Sequence, residues 1–231
     1  MRMSDDLREF LSPGATVESE HPDIVAFAET HTDPKATDKE NAIRLYYAIR
    51  DGLRYDPYTS ALDVPGLRAS RTLAEGRGWC VSKSILLAAV CRAAGIPARL
   101  GFADVKNHMS TEKMRERMKT DVFFWHGYTA IHLDGKWVKS TPAFNIELCE
   151  KFGIRPLDFN GEDDSIYHPL DVAGNKHMEY LNQRGEYAEP PLDEMLATFV
   201  EHYPHWRHRD EAPAGDFDAE VDQETAHIQQ S

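Results

Sequence analysis

The stretch CVSKSILLAAVCRAAGIPAR at residues 80–99 decides the fold prediction, because it contains the most apolar segment of the chain. Only Lys83 and Arg92 carry a charge before Gly95. A helix that is apolar nearly all round is a buried one. Gly95 and Pro97 then follow, and these residue types are typical of positions just after the C-terminus of a helix. The stretch therefore predicts a buried central helix.

Strand-like runs follow this helix. Residues 98–105 alternate between apolar and polar character, and two further runs cover residues 122–133 and 137–140. Asp134-Gly135 separates the last two runs and is a strong hairpin signal. A buried helix followed by an antiparallel sheet predicts an α+β fold.

Three further helices are predicted around this core, from weaker sequence signals. Asp38 is a candidate N-cap of a helix that ends near Gly52. Residues 109–120 are charged and predict a surface helix, whereas residues 192–203 predict a short helix that closes the domain. Between residues 150 and 191 the apolar periodicity is too weak to predict an element.

The two ends of the chain are more polar. Residues 1–37 contain many acidic residues and several prolines, and we interpret them as an N-terminal lead-in. Residues 205–231 predict an acidic, disordered tail. Residues 38–204 are the predicted main domain.

Charge and hydropathy limit the partners and the location. The 26 basic and 39 acidic residues give a formal net charge of −13, which argues against nucleic acid and an anionic membrane surface as partners. The longest apolar run, residues 85–91, is too short to span a bilayer, and the N-terminus lacks the apolar stretch of a secretory signal. We therefore expect a cytoplasmic protein. An odd number of cysteines, three, does not indicate a disulfide scaffold.

Cys80 is the candidate nucleophile, since it occupies the first turn of the predicted helix. The partial positive charge of a helix N-terminus stabilises a thiolate, so we expect a lowered thiol pKa. The free N–H groups at that point are also suited to hold an oxyanion. Cys91 lies about 16 Å further along the same helix, which excludes a disulfide between the two cysteines. Because buried cysteines are common, packing is the alternative role for Cys80.

A thiolate nucleophile needs a base, and two histidines on the predicted strand are candidates. His126 and His132 share one strand face, so the pattern alone does not separate them. The cysteines form no C-x-x-C pair, and no zinc, calcium or nucleotide motif is present, so we predict no metal and no cofactor. The cluster of His202, His205 and His208 at the start of the tail is interpreted as solvated.

Four short motifs lie within residues 42–145. They are Gly78-Trp79-Cys80, RAAGIPAR at residues 92–99, His126-Gly127-Tyr128 and Gly135-Lys136-Trp137. This set resembles the transglutaminase-like superfamily, of the small bacterial single-domain type. The resemblance implies a papain-like, transglutaminase-core fold, so residues 38–204 are predicted to be a transglutaminase-like domain. The interval 137 − 126 = 11 suits the family hairpin, which favours His126 over His132.

The resemblance also implies a Cys-His-Asp triad that transfers acyl groups through a thioester. Thr141 occupies the position of the family aspartate, and Asn145 is the alternative third member. Trp79 and Tyr128 are the candidate substrate-binding residues. We predict acyl transfer on amide or peptide carbonyls of a peptide or protein, with hydrolysis favoured over transamidation. The alternative is a catalytically weak or inactive module that binds a peptide or a partner protein.

Overall fold

The structure of the protein is a computed structural model that describes residues 5–107, 111–166, 178–204 and 215–226. The helices are α1 Asp5–Arg8, α2 Pro22–His31, α3 Asp38–Gly52, α4 Val64–Leu67, α5 Ala69–Glu75, α6 Cys80–Ala93, α7 Glu112–Met118, α8 Ile146–Phe152, α9 Leu192–His202 and α10 Phe217–Ala226. The strands are β1 Arg54–Tyr55, β2 Arg77–Gly78, β3 Ala98–Asn107, β4 Val122–Leu133, β5 Lys136–Ser140 and β6 Met178–Tyr187.

Helix α6 is the buried central helix that the sequence predicts. Every residue from Cys80 to Arg92 is buried, with α2, α3 and α5 on one side and strands β3 and β4 on the other. Burial of each large aliphatic side chain, such as Ile85 or Leu86, contributes about 1.5–3 kcal/mol. Gly95 then adopts a φ of +77°, which ends the helix in a left-handed turn.

The main sheet has four strands in the order β5-β4-β3-β6 and is antiparallel throughout. The predicted β4–β5 hairpin is confirmed. Asp134 and Gly135 have φ values of +49° and +83°, the left-handed conformations that a tight two-residue turn needs. With helices packed on this sheet, the α+β fold class is confirmed.

Strand β6 lies in the segment where the sequence predicted no element. It pairs with β3 from Leu100↔Tyr187 to Asn107↔Met178 and forms an edge of the sheet. An edge strand has solvent on one side, so its side chains need not alternate cleanly between apolar and polar. Leu181, half-exposed at 53%, and the polar residues around it illustrate why periodicity did not reveal the strand.

Helix boundaries differ from the predicted ones in small ways. The N-cap of α3 is Thr37 and not Asp38, because the Thr37 hydroxyl accepts the Glu40 N–H while the Glu40 carboxylate accepts the Thr37 N–H. Helix α9 is confirmed.

The predicted lead-in contributes Val17 and Ile24 to the core, so these residues pack with the main domain.

Residues 217–226 form helix α10, so the expectation of a disordered tail is wrong for them. Phe217 and Val221 are buried, and the Phe217 ring packs edge-on against Tyr55 at 5.6 Å. Two apolar residues four apart suffice to bury one helix face, although the segment is otherwise acidic. Residues 205–214 and 227–231 lie outside the described residues, and the predicted domain boundaries stay predictions.

Within the described ranges, no helix combines the length and the apolar character that crossing a bilayer requires.

Candidate active site

The chain enters α6 in a conformation that its local sequence favours. Trp79 is the extended N-cap residue, and its N–H donates to the Ser82 hydroxyl at 3.1 Å. A Cβ at Gly78 would lie 2.4 Å from the Ser82 Oγ, so a larger residue would displace the hydroxyl that accepts the Trp79 N–H. Cys80 thus becomes the first residue of α6, as the sequence predicts.

Strand β4 approaches the start of α6 at a glycine. A Cβ at Gly127 would lie 2.9 Å from the Val81 Cα and 3.2 Å from the Cys80 carbonyl oxygen, so a larger residue would push the strand away. The N–H groups of Gly127 and Val81 are placed to donate to the Cys80 sulfur. The sulfur therefore faces backbone donors from two elements, a setting suited to developing negative charge.

Strand β5 separates from β4 at the same place. Ser140 makes the last pairing of β5 with β4, and the N–H of Thr141 donates instead to the Ser165 carbonyl at 3.0 Å. His126 is the residue before Gly127, and Thr141 is the residue after Ser140. His126 is therefore one residue from the glycine of β4 that lies against α6, and Thr141 is the first residue after β5 leaves β4.

Three predicted site residues have a buried polar atom without a hydrogen-bond partner among the described residues. These atoms are Trp79 Nε1, His126 Nε2 and Thr141 Oγ1. Each unpaired buried group costs about 1–3 kcal/mol, and most buried polar groups in folded proteins are paired. A substrate or water that supplies the missing partners would recover this cost. Three further buried atoms of the described residues are also unpaired, on Ser84, Arg99 and Trp125.

Burial controls the protonation state of the cysteine and the histidine. It raises the pKa of the Cys80 thiol to about 11, although the Gly127 and Val81 N–H groups oppose this rise. Burial lowers the pKa of His126 to about 4. Both groups are therefore uncharged at neutral pH. The expectation of a lowered thiol pKa is wrong for this state, because desolvation outweighs the helix N-terminus.

The two candidates for the third member differ in their hydrogen bonds. Asn145 already accepts the Tyr55 N–H through its Oδ1 at 3.1 Å. The Thr141 hydroxyl is buried and unpaired among the described residues, and Tyr46 fixes the Thr141 carbonyl through a 3.1 Å hydrogen bond. These contacts favour Thr141, whose hydroxyl provides an acceptor but no negative charge.

Tyr128 lies away from this site. Its hydroxyl donates to Glu186 at 3.0 Å, and its ring packs with Ala130 and Ile166 in a separate small cluster. Thr129 next to it donates to the Ser84 carbonyl of α6 at 2.9 Å. The partners of Tyr128 thus lie on β4, on β6 and at Ile166, and not at the start of α6. Its predicted role in substrate binding is not supported.

Sequence reasoning missed an aromatic cover over the cysteine. The Phe199 ring of α9 lies edge-on to Trp79 at 6.1 Å, and Tyr203 accepts the Phe124 N–H at 2.8 Å. Burial is the main cause that raises the pKa of the Tyr203 and Tyr55 hydroxyls, and proximity to Cys80 adds to it. The periodicity of α9 predicted a helix, but nothing in it indicated which surface the helix covers.

Metal ligation finds no support in the described part of the chain, where no group of three His, Cys, Asp or Glu residues is placed to hold an ion. His202 stacks on Phe124 at a centroid distance of 4.2 Å. His205 and His208 of the predicted solvated cluster lie outside the described residues.

The fold and the site together define a class of protein. A cysteine begins a buried helix, and a histidine lies on the adjacent strand of an antiparallel sheet. A family model of the transglutaminase-like superfamily matches residues 25–142, about half of the chain. The chain belongs to the transglutaminase-like superfamily, and its fold is the papain-like transglutaminase-core fold. Membership supports cysteine-based acyl transfer as the general chemistry. No curated protein matches the chain.

Several solved structures are distantly similar to this chain. A provisionally described cysteine protease of Cytophaga hutchinsonii is 17% identical with a TM-score of 0.48, and the match covers 80% of this chain and 55% of that one. A provisionally described protease of Parabacteroides distasonis is 19% identical with a TM-score of 0.39, over 58% and 25% of the two chains. The arylamine N-acetyltransferase of Mycobacterium abscessus is 15% identical with a TM-score of 0.44, over 84% and 74%. These likenesses are too distant to carry an activity to this chain.

Proposed function

We propose that the protein is a cysteine-dependent acyl-transfer enzyme that acts on amide or peptide carbonyls of a peptide or protein. The observation that supports the proposal is the set of unpaired buried polar atoms on Trp79, His126 and Thr141, of which Trp79 directly precedes Cys80 and His126 directly precedes the glycine of β4 that lies against Cys80. A purely structural cysteine would not need such a set. A cytoplasmic location and the absence of a nucleic-acid partner stay predictions.

In the first half of the reaction, the Cys80 sulfur attacks the carbonyl carbon while His126 accepts the thiol proton. The C–N bond then breaks, and His126 returns the proton to the departing amine. A neutral thiol and a neutral imidazole are the correct starting states for this transfer. The Val81 N–H and the unpaired Trp79 Nε1–H are the proposed donors to the oxyanion.

In the second half, water attacks the thioester while His126 accepts one of its protons. The thioester C–S bond breaks, and the same proton returns to the sulfur, which releases a carboxylic acid. Thr141 is the proposed third member: its unpaired hydroxyl would set the histidine tautomer by accepting the imidazole N–H once the two side chains meet in the substrate complex. A hydroxyl does not balance the imidazolium charge as an aspartate would. We favour hydrolysis over transamidation.

The alternative is a catalytically weak or inactive module that binds a peptide or a partner protein. The uncharged Thr141 and the thiol pKa of about 11 favour it, because both disfavour a reactive thiolate in the resting site. The two proposals differ in whether an acyl group ever resides on Cys80.

The decisive experiment is acid-quenched mass spectrometry of the intact protein after incubation with a peptide p-nitroanilide. We expect one acyl group, mapped to Cys80, and none on the Cys80→Ser variant. Cys91→Ser is the matched control, since it alters the other buried cysteine of α6, and it should be acylated as wild type is. Absence of acylation, or acylation that persists in Cys80→Ser, would support the binding module.

Product analysis separates hydrolysis from transamidation. In the presence of a primary amine such as putrescine, we expect free carboxylic acid to remain the main product. Predominant amide product would assign the chain to transamidation instead.

A further inference from the structure

Strand β4 contains a bulge directly before His126. The register of β3 against β4 shifts so that Phe124 and Trp125 together lie opposite Asp104. Trp125 has a φ of +58°, a left-handed conformation that bulky residues rarely adopt. Because bulges re-aim the side chains beside them, the conformation of Trp125 sets the direction of His126.

Asp104 on β3 stabilises this unusual conformation. Its Oδ1 accepts the Trp125 N–H at 3.2 Å. This hydrogen bond satisfies a backbone donor that the bulge removes from regular pairing. Asp104 is only 5% exposed, so its carboxylate has lost most of its hydration and needs partners of its own.

Strand β6 supplies those partners. The Arg184 Nε lies 3.0 and 2.9 Å from the two carboxylate oxygens of Asp104, and the Asn182 Nδ2 lies 3.3 Å from one of them. The Arg184 guanidinium also lies 5.1 Å from the centre of the Trp125 ring. The register of β6 against β3 shifts beside Asp104 as well, so three strands depart from regular pairing at one place.

We propose that Asp104, held by Arg184, is a positioning residue that fixes the orientation of His126 relative to Cys80. A buried ion pair is weak evidence for stability, since apolar packing often stabilises as well. Orientation of the histidine explains why a charged group is placed here. The inference rests on the proposed function, because Asp104 touches no reacting atom and acts through the backbone of Trp125.

The test compares Asp104→Ala with Asp104→Asn, whose side-chain carbonyl still accepts the Trp125 N–H. The readout is the rate of Cys80 acylation by the peptide p-nitroanilide, whose amine needs a proton from His126. We expect Asp104→Ala to lower this rate about tenfold, which is a fraction of the effect of losing a well-placed general acid. Asp104→Asn should lower it about threefold. Asp121→Ala is the matched control and should retain the wild-type rate, because it breaks the 2.8 Å ion pair between Lys106 of β3 and the residue that precedes β4 and leaves the Trp125 N–H paired.

A double-mutant cycle with His126→Ala separates positioning from general stability. If Asp104 acts through His126, Asp104→Ala produces no further loss of rate in the His126→Ala background. The same tenfold loss in that background would overturn the proposal. Melting temperatures of all variants identify effects that arise from unfolding alone.

A second readout does not depend on activity. We expect the NMR ring signals of His126 to shift in Asp104→Ala and to stay close to wild type in Asp104→Asn. Unchanged ring signals in Asp104→Ala would overturn the positioning role. If wild type is not acylated, or His126→Ala is acylated at the wild-type rate, the proposed function fails, whereas the ring signals still decide whether Asp104 positions His126.

Discussion

The two ends of α6 carry the same residue type in similar burial, yet their surroundings differ. At the N-terminal end, Cys80 is next to Trp79, whose indole N–H is unpaired in the described structure. At the C-terminal end, Cys91 is next to Arg92, whose guanidinium donates to three carbonyl oxygens. The acceptors are Ala98 at 2.9 Å, Ser12 at 2.8 Å and Ala188 at 2.7 Å.

This difference shows which property distinguishes a reactive site from a structural one. Burial raises the pKa of both thiols, to about 11 for Cys80 and about 12 for Cys91. Neither burial nor protonation therefore separates them. The difference lies in hydrogen bonding. Arg92 donates to a carbonyl just beyond the helix, Ala98, and to two carbonyls far away in the chain, Ser12 and Ala188, whereas the Trp79 indole N–H has no partner among the described residues.

The largest expected effect is on turnover. Cys80→Ala should lower amide turnover by about a thousandfold or more, as removal of a nucleophile does. Cys91→Ala should retain turnover and lower the free energy of unfolding by about 1–2 kcal/mol through a small cavity. Steady-state kinetics and urea denaturation of both variants check this crossed pattern. Equal losses of turnover would abolish the contrast between the two ends.

The next effect concerns Arg92. Arg92→Ala removes the donor from three carbonyls, of which Ala98 lies in a buried hydrogen bond and Ser12 and Ala188 in partly buried ones, so we expect the free energy of unfolding to fall by about 2 kcal/mol. Urea denaturation measures this loss, and the acylation rate of the remaining folded protein should be unchanged. A loss below about 1 kcal/mol, or a specific loss of acylation, would show that the C-terminal end is not purely structural.

A smaller effect is the pH dependence of Cys80 alkylation by iodoacetamide. With a thiol pKa of about 11, the thiolate fraction rises with pH throughout the neutral and mildly alkaline range. We therefore expect slow alkylation near pH 6 and a rise of about tenfold per pH unit up to pH 10. Peptide mapping after alkylation identifies the site. A plateau already reached by pH 7 would mean that the helix N-terminus lowers the thiol pKa after all.

The smallest expected effect tests the third member of the site. Thr141→Asp places a carboxylate near His126 and should raise the histidine pKa by about one unit, because a negative charge favours the imidazolium. An NMR titration of the His126 ring measures the shift. Asn145→Ala should leave that titration unchanged, since its Oδ1 binds the Tyr55 N–H. The reverse result would identify Asn145 as the residue that holds the histidine.

The sequence predicted the elements whose signals are local. Helix α6 follows from a continuous apolar run with a glycine end, and the β4–β5 hairpin follows from Asp134-Gly135. Strand β6 and helix α10 could not be predicted in this way. Their apolar residues are few, and they become ordered by pairing with β3 and by packing against Tyr55, which lie far away in the chain.

The sequence by itself determined the family, the position of Cys80 at a helix start and the choice of His126 and Thr141 as its candidate partners. Only the tertiary structure decided that the thiol pKa rises, that Tyr128 binds Glu186 and that Asp104 lies beside the bulge before His126. The physical reason is that short motifs record local backbone geometry. Desolvation, strand register and the pairing of buried polar groups arise only when segments distant in sequence come together.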